Sequence, residues 1–99
     1  MSETVSTDSV VVAARDQVSS DLGGEVAILD LNVGVYYGLD EVGARVWELI
    51  QEPRVVRDVR GILLEEYDVA PERCERDLIE LLERLAEEGL IELRDEPPA

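Results

Sequence analysis

An α+β domain, a small antiparallel β-sheet of three strands followed by three α-helices, is what this 99-residue sequence predicts. Three observations carry it. Residues up to about 40 hold β-branched and alternating runs divided by glycine turns, and residues 41–88 hold three stretches of helical apolar spacing. The third is size: 99 residues, 45% hydrophobic, suit one compact domain with a single core. Strands followed by three helices fit a winged helix-turn-helix-like arrangement, with the sheet packed against the helices.

Residues 1–9 (MSETVSTDS) are polar and read as a mobile tail ahead of a domain spanning 10–93. Val10-Val11-Val12-Ala13 is β-branched and suits a short strand. Arg15 to Ser20 has Val18 as its only bulky apolar residue and reads as a second short strand or a loop; Asp21-Leu22-Gly23-Gly24 is turn chemistry. Glu25 to Leu31 and Val35 to Leu39 are strands joined at Asn32-Val33-Gly34, a hairpin in which Asn32 and Gly34 can take positive φ. Carrying the register through that turn puts Leu29, Leu31, Val35, Tyr37 and Leu39 on one face.

Asp40 is an N-cap for a helix running to about Gln51, with Val42, Val46, Trp47, Leu49 and Ile50 as its apolar stripe and Pro53 as its stop. A second helix, from about Val56 to Tyr67, carries Val59, Ile62, Leu63 and Tyr67. It starts without a Ser, Thr or Asp cap and is expected to fray there. Pro71 opens a third helix that Gly89 closes. On this helix Leu81, Cys74, Leu85, Leu78, Leu82, Ala86 and Ile79 sweep an arc of about 160°, wider than one buried stripe requires. Leu90 to Leu93 is a short extended segment, and residues 94–99, with two prolines, read as a frayed end.

Composition excludes most chemistry. There is no His and no Lys, and the single Cys has no internal disulfide partner. Imidazole bases, Schiff-base lysines, Cys–His pairs and Cys/His metal clusters are therefore absent, and no metal or other cofactor is expected. The net charge of −15 opposes nucleic acid and anionic membranes. No apolar run reaches a membrane span and no basic signal region opens the chain, which implies a cytoplasmic protein. Glu80–Arg84 and Glu72–Arg76 at i,i+4 read as solvated, salt-bridged pairs. Cys74 and Trp47 read as core residues. The third helix carries seven acids against Arg73, Arg76 and Arg84, so the scaffold of a DNA reader lacks the charge to read DNA.

Two features remain: the strand Val35–Leu39 at or near a sheet edge, and the wide arc of the third helix. Together they suit addition of an extended peptide as a further strand. The alternative is that the arc is only core and residues 10–20 cover the edge.

The residues Gly34-Val35-Tyr36-Tyr37-Gly38-Leu39-Asp40, followed by Val42-Gly43-Ala44-Arg45-Val46-Trp47-Glu48-Leu49, resemble the PqqD-like proteins. Val56, Val59, Leu63 and Tyr67 fit that family's second helix. Asp77-Leu78, Leu81-Leu82, Leu85 and Gly89-Leu90 fit its last. The resemblance spans about residues 10–93. The Tyr-Tyr-Gly-Leu strand, with Glu66-Tyr67-Asp68-Val69 and Glu72, Cys74 and Asp77, is most similar to the standalone members of lasso-peptide biosynthesis. Asp40 stands where the family usually has Asn, and Val55 where a capping Thr or Ser is common.

The resemblance implies a RiPP recognition element, a non-catalytic domain that binds the leader of a ribosomally made precursor peptide and works beside a separate leader peptidase and cyclase. It implies a leader strand on Val35, Tyr36, Tyr37 and Gly38, against a helix wall of Asp77, Leu78, Leu81, Arg84 and Leu85. The rivals are a winged-helix transcription regulator dimerising through the third helix, another interaction module, and a small enzyme.

Overall fold

A computed structural model describes residues 5–15, 17–21, 23 and 25–94. In chain order the elements are β1 (Val10–Ala13), β2 (Gln17–Asp21), β3 (Val26–Asp30), β4 (Val35–Leu39), α1 (Glu41–Leu49), β5 (Arg54–Val55), α2 (Val56–Glu66), α3 (Pro71–Glu87) and β6 (Ile91–Arg94). The fold class is the predicted α+β one, but the strand count differs. Two three-stranded antiparallel sheets form, β5-β1-β6 and β2-β3-β4. The strands beyond the expected three are β2, which the sequence left open as a strand or a loop, β5, between α1 and α2, and β6, after α3; β5 and β6 return to pair with β1. Their pairing is long-range, so no local pattern announces it. Arg94, expected in the frayed end, closes β6 opposite Val10; residues 95–99 lie outside the described residues.

The expected tail is corrected for residues 5–9; residues 1–4 lie outside the described residues. Val5 is buried in the core at 3% exposure. The carbonyls of Ser9 and Thr7 accept from the N–H groups of Val56 and Arg57, each at 2.9 Å. A helix start leaves its first N–H groups without partners. Val55 makes no side-chain cap, and the preceding chain supplies the acceptors instead, so the uncapped start of α2 is held.

The β3–β4 hairpin also departs from its expected register. Its turn has four residues, Leu31 to Gly34, and pairs Asp30 with Val35 and Ile28 with Tyr37. One more turn residue than expected reverses the parity, because strand side chains repeat every two residues. Ile28, Tyr37 and Leu39 therefore share the inner face, and Leu29 opposes Tyr36 on the outer one. Gly34 has φ +70°, but Asn32 does not adopt positive φ; its N–H donates to Asp30 Oδ1 at 2.8 Å.

Asp40 caps α1, its Oδ1 accepting from Gly43 N at 2.9 Å. Asp40→Ala should cost about 1 kcal/mol, read as a fall of roughly 4–8 °C in the melting midpoint. An unchanged melt would show that the cap contributes nothing. At the other end of the bundle, Gly89 (φ +75°) closes α3: its N–H reaches Ala86 O at 3.0 Å and Leu90 N–H reaches Leu85 O at 2.9 Å, a Schellman closure. Ile28, Val46, Ile50, Val56, Val59, Leu82 and Leu90 fill the core. Trp47 is buried among them, and its Nε1 makes no hydrogen bond among the described residues. No helix among the described residues is long and apolar enough to cross a membrane.

Candidate functional site

Sheet order leaves β4 with β3 as its one partner among the described residues. The described residues of 10–20 do not pair with it: β1 pairs with β5 and β6, and β2 pairs with β3. Among the described residues no strand pairs with the outer edge of β4.

Beside the end of β4 lies a groove of about 680 Å³. Gly38 and Leu39 form its strand side, and Val42, Gly43 and Val46 come from α1. Leu63 and Tyr67 come from the end of α2, with Val69 from the link that follows. The third helix contributes Cys74, Leu78 and Leu81, with Arg73, Asp77, Glu80 and Arg84 as its charged members. Gly43 permits the close junction of α1 with β4, since a Cβ there would lie 3.3 Å from both Leu39 Cβ and Asp40 Oδ1.

Three polar ties hold these walls. Arg45 grips Glu66 with two hydrogen bonds, Nε to Oε1 and Nη2 to Oε2, each 2.8 Å, joining α1 to α2. Hydrogen bonding from Arg45 holds the Glu66 carboxyl below the usual range. The exposed pair therefore adds its small share of stability above that range and loses it as pH falls through the lowered value. Arg60 Nη1 to Glu75 Oε1 at 2.6 Å joins α2 to α3. Tyr37 Oη donates to Glu88 Oε2 at 2.7 Å, joining β4 to the end of α3, and this bond raises the phenol pKa. The expected pairs Glu80–Arg84 and Glu72–Arg76 are absent; Arg73 and Arg76 approach Asp77 at 3.7 and 4.0 Å. Exposed i,i+4 pairs are worth a few tenths of a kcal/mol, too little to fix a rotamer against solvation or an alternative partner. The Arg84 guanidinium makes no hydrogen bond or ion pair among the described residues and stands as a cation on the groove wall.

The geometry suits binding. Burial pushes the Cys74 thiol up, away from the thiolate a nucleophile needs. Among the described residues no group of three His, Cys, Asp or Glu is placed to hold a metal ion.

Of the residues picked from sequence, Gly38, Asp77, Leu78, Leu81 and Arg84 meet at the groove. Val35 and Tyr36 lie further along β4 toward the hairpin turn, exposed, and the Tyr37 ring packs against the core. Leu85 is corrected: it is buried at 3% exposure one turn beyond Leu81, among the core residues, and does not line the groove. The cavity lies on the Leu81 side of α3 and not on the Ile79 and Ala86 side. Sequence reasoning missed Val42, Tyr67 and Val69 as wall residues. Val42 and Val69 are 41% and 43% exposed; an apolar Val69 in the link between two helices, outside either stripe, was the available signal.

Fold and groove together define a small winged-helix binding domain with an edge strand beside a helical wall. The chain belongs to the PqqD family: the family model described as coenzyme PQQ synthesis protein D (PqqD) matches residues 25–91. Among solved structures it is similar to TbiB1 in complex with the TbiA(beta) leader peptide, at 33% identity and TM-score 0.75, over 88% of this chain and 99% of that one. It also shares its fold with a lasso peptide synthetase B1 complexed with the leader peptide, at 23% identity and TM-score 0.73, over 83% and 96% of the two chains. No curated protein matches the chain.

Proposed function

We propose that this protein is a RiPP recognition element that binds the leader segment of a ribosomally synthesised precursor peptide of the lasso type. The observation that carries this reading is the edge of β4, unpaired among the described residues, beside the α3 groove, in a chain 33% identical to TbiB1, which was solved with a leader peptide. The leader adds as a strand along Val35 to Gly38. Its larger apolar side chains enter between Leu78, Leu81, Val42 and Tyr67, while Asp77 and Arg84 orient polar ones. Main-chain pairing supplies affinity and the groove supplies selectivity. The domain itself performs no covalent step. It presents the leader to a separate peptidase and then to the cyclase, raising the effective concentration of the precursor at each enzyme.

Fluorescence anisotropy with a labelled peptide from the N-terminal half of the neighbouring precursor tests the reading. Saturable binding of that peptide, with none of a core-segment peptide or duplex DNA at low salt, is the expected outcome. The protein should also accelerate peptidase cleavage of full precursor and leave a leaderless one unaffected; equal acceleration of both would refute leader reading.

A further inference from the structure

A second cleft, of about 520 Å³, shares no lining residue with the α3 groove. Trp47 reaches it from α1, Gln17 from β2, Arg15 from the link between β1 and β2, and Glu92 and Arg94 from β6. Gln17 pairs with Asp30 and so shares the inward face of its sheet with Ile28. Two of these side chains carry a buried polar atom with no hydrogen-bond partner among the described residues: the donor Nε1 of Trp47 and the acceptor Oε1 of Gln17. Trp47 is 4% exposed. The Gln17 amide is oriented by its own Nε2, which donates to Ala14 O, so Oε1 is left as an acceptor. A buried polar group without a partner forfeits its hydration for nothing, and native folds supply such groups with protein, water or ligand partners. Beside this donor and acceptor stand two cations: the guanidiniums of Arg15 and Arg94 make no hydrogen bond or ion pair among the described residues.

We propose that this cleft binds an α-carboxylate with an N–H on the adjacent carbon, the chemistry shared by a peptide C-terminus and a free amino acid. Arg15 and Arg94 take the carboxylate through charge-assisted hydrogen bonds, with Trp47 Nε1 as a neutral third donor. Gln17 Oε1 and the Glu92 carboxylate accept from the N–H. One ligand thus meets the unpaired donor and the unpaired acceptor together, which neither a bare anion nor a bare cation does. Phosphate offers oxygen acceptors to the arginines but no matching donor to Gln17 Oε1, and it faces Glu92. A net charge of −15 also repels a multiply charged anion more than a singly charged one. The volume lies in the range of small-ligand sites and leaves room for a side chain or a preceding residue. Because the two clefts share no residue, the site is separate from the one that takes the leader.

Trp47 is the single tryptophan of the chain, so its indole N–H gives one resonance in a proton–nitrogen correlation spectrum and reports on the cleft directly. The full chain, labelled with nitrogen-15, is titrated with N-acetyl-alanyl-alanine, the same dipeptide as its C-terminal amide, L-alanine, propionate and inorganic phosphate. The free-acid dipeptide or L-alanine should shift the indole resonance saturably, and whichever binds more tightly identifies the source of the carboxylate. The dipeptide amide, which lacks the charge, and propionate, which lacks the N–H, should each bind at least tenfold more weakly. Arg15→Gln/Arg94→Gln, two exposed positions, should keep the wild-type circular dichroism, raise the Kd of the preferred probe at least tenfold, and bind the labelled leader peptide within twofold of wild type. An indole resonance unmoved by both the free-acid dipeptide and L-alanine would overturn the proposal. So would amide, propionate or phosphate binding as tightly as the preferred probe, wild-type probe affinity in the folded double variant, or an equal loss of leader binding, which would assign the cleft to the leader site.

Discussion

Leu82→Ala should cost about 2–5 kcal/mol of folding stability, as large-to-small changes in a packed core do, whereas Leu81→Ala should leave the domain folded and weaken its hold on the leader. The two side chains are sequence neighbours with opposite surroundings. Leu82 is fully buried in the core, and Leu81, half-buried, lines the groove. Truncating Leu82 leaves a void that the helices and β-strands around it cannot close without moving. At roughly 4–8 °C per kcal/mol for a domain of this size, the loss is large enough to bring unfolding close to ambient temperature. Truncating Leu81 removes contact surface from an open wall, where solvent fills the gap. Urea denaturation and leader titration on both variants make the comparison. If Leu81→Ala binds leader like wild type while Leu82→Ala stays folded and loses binding, the leader does not lie on the Leu81 side of α3.

Proline at Tyr36 or at Tyr37 should separate the two edges of β4. Successive N–H groups in an antiparallel strand point alternately to the paired neighbour and to the open side. Of these two residues, one therefore donates to β3 and the other is available to the leader. Proline removes that donor and restrains φ. At the open-side position it should weaken leader binding by about 1–3 kcal/mol, the cost of a buried main-chain group left unpaired, or roughly fivefold to more than a hundredfold in Kd. At the other position it should damage the hairpin first. Tyr36 is the milder site for packing, being 70% exposed, whereas Tyr37 also carries core contacts and the bond to Glu88. Circular dichroism identifies which variant keeps its fold. Full leader affinity in both folded variants would exclude strand addition on β4.

Much of this molecule is determined by local pattern. The apolar stripes of α1, α2 and α3, the Asp40 cap and the Gly89 stop depend on residues within a turn or two of each other, and spacing alone reveals them. The family is equally legible, because the Tyr-Tyr-Gly-Leu strand and the third-helix leucines keep fixed spacing. Tertiary structure decided what depends on distant partners. Val5 joins the core and Thr7 and Ser9 hold the start of α2 because a helix start without its own cap recruits carbonyls from a segment some fifty residues earlier. β5 and β6 exist because β1 offers both edges to them. A single extra turn residue reversed the hairpin faces. Leu81 and Leu85, alike in the arc, part company because α3 is covered by the core along the line of Leu85 and left open along the line of Leu81. Periodicity defines which face of an element is apolar; only the placement of the other elements decides which part of that face is buried and which is left to bind.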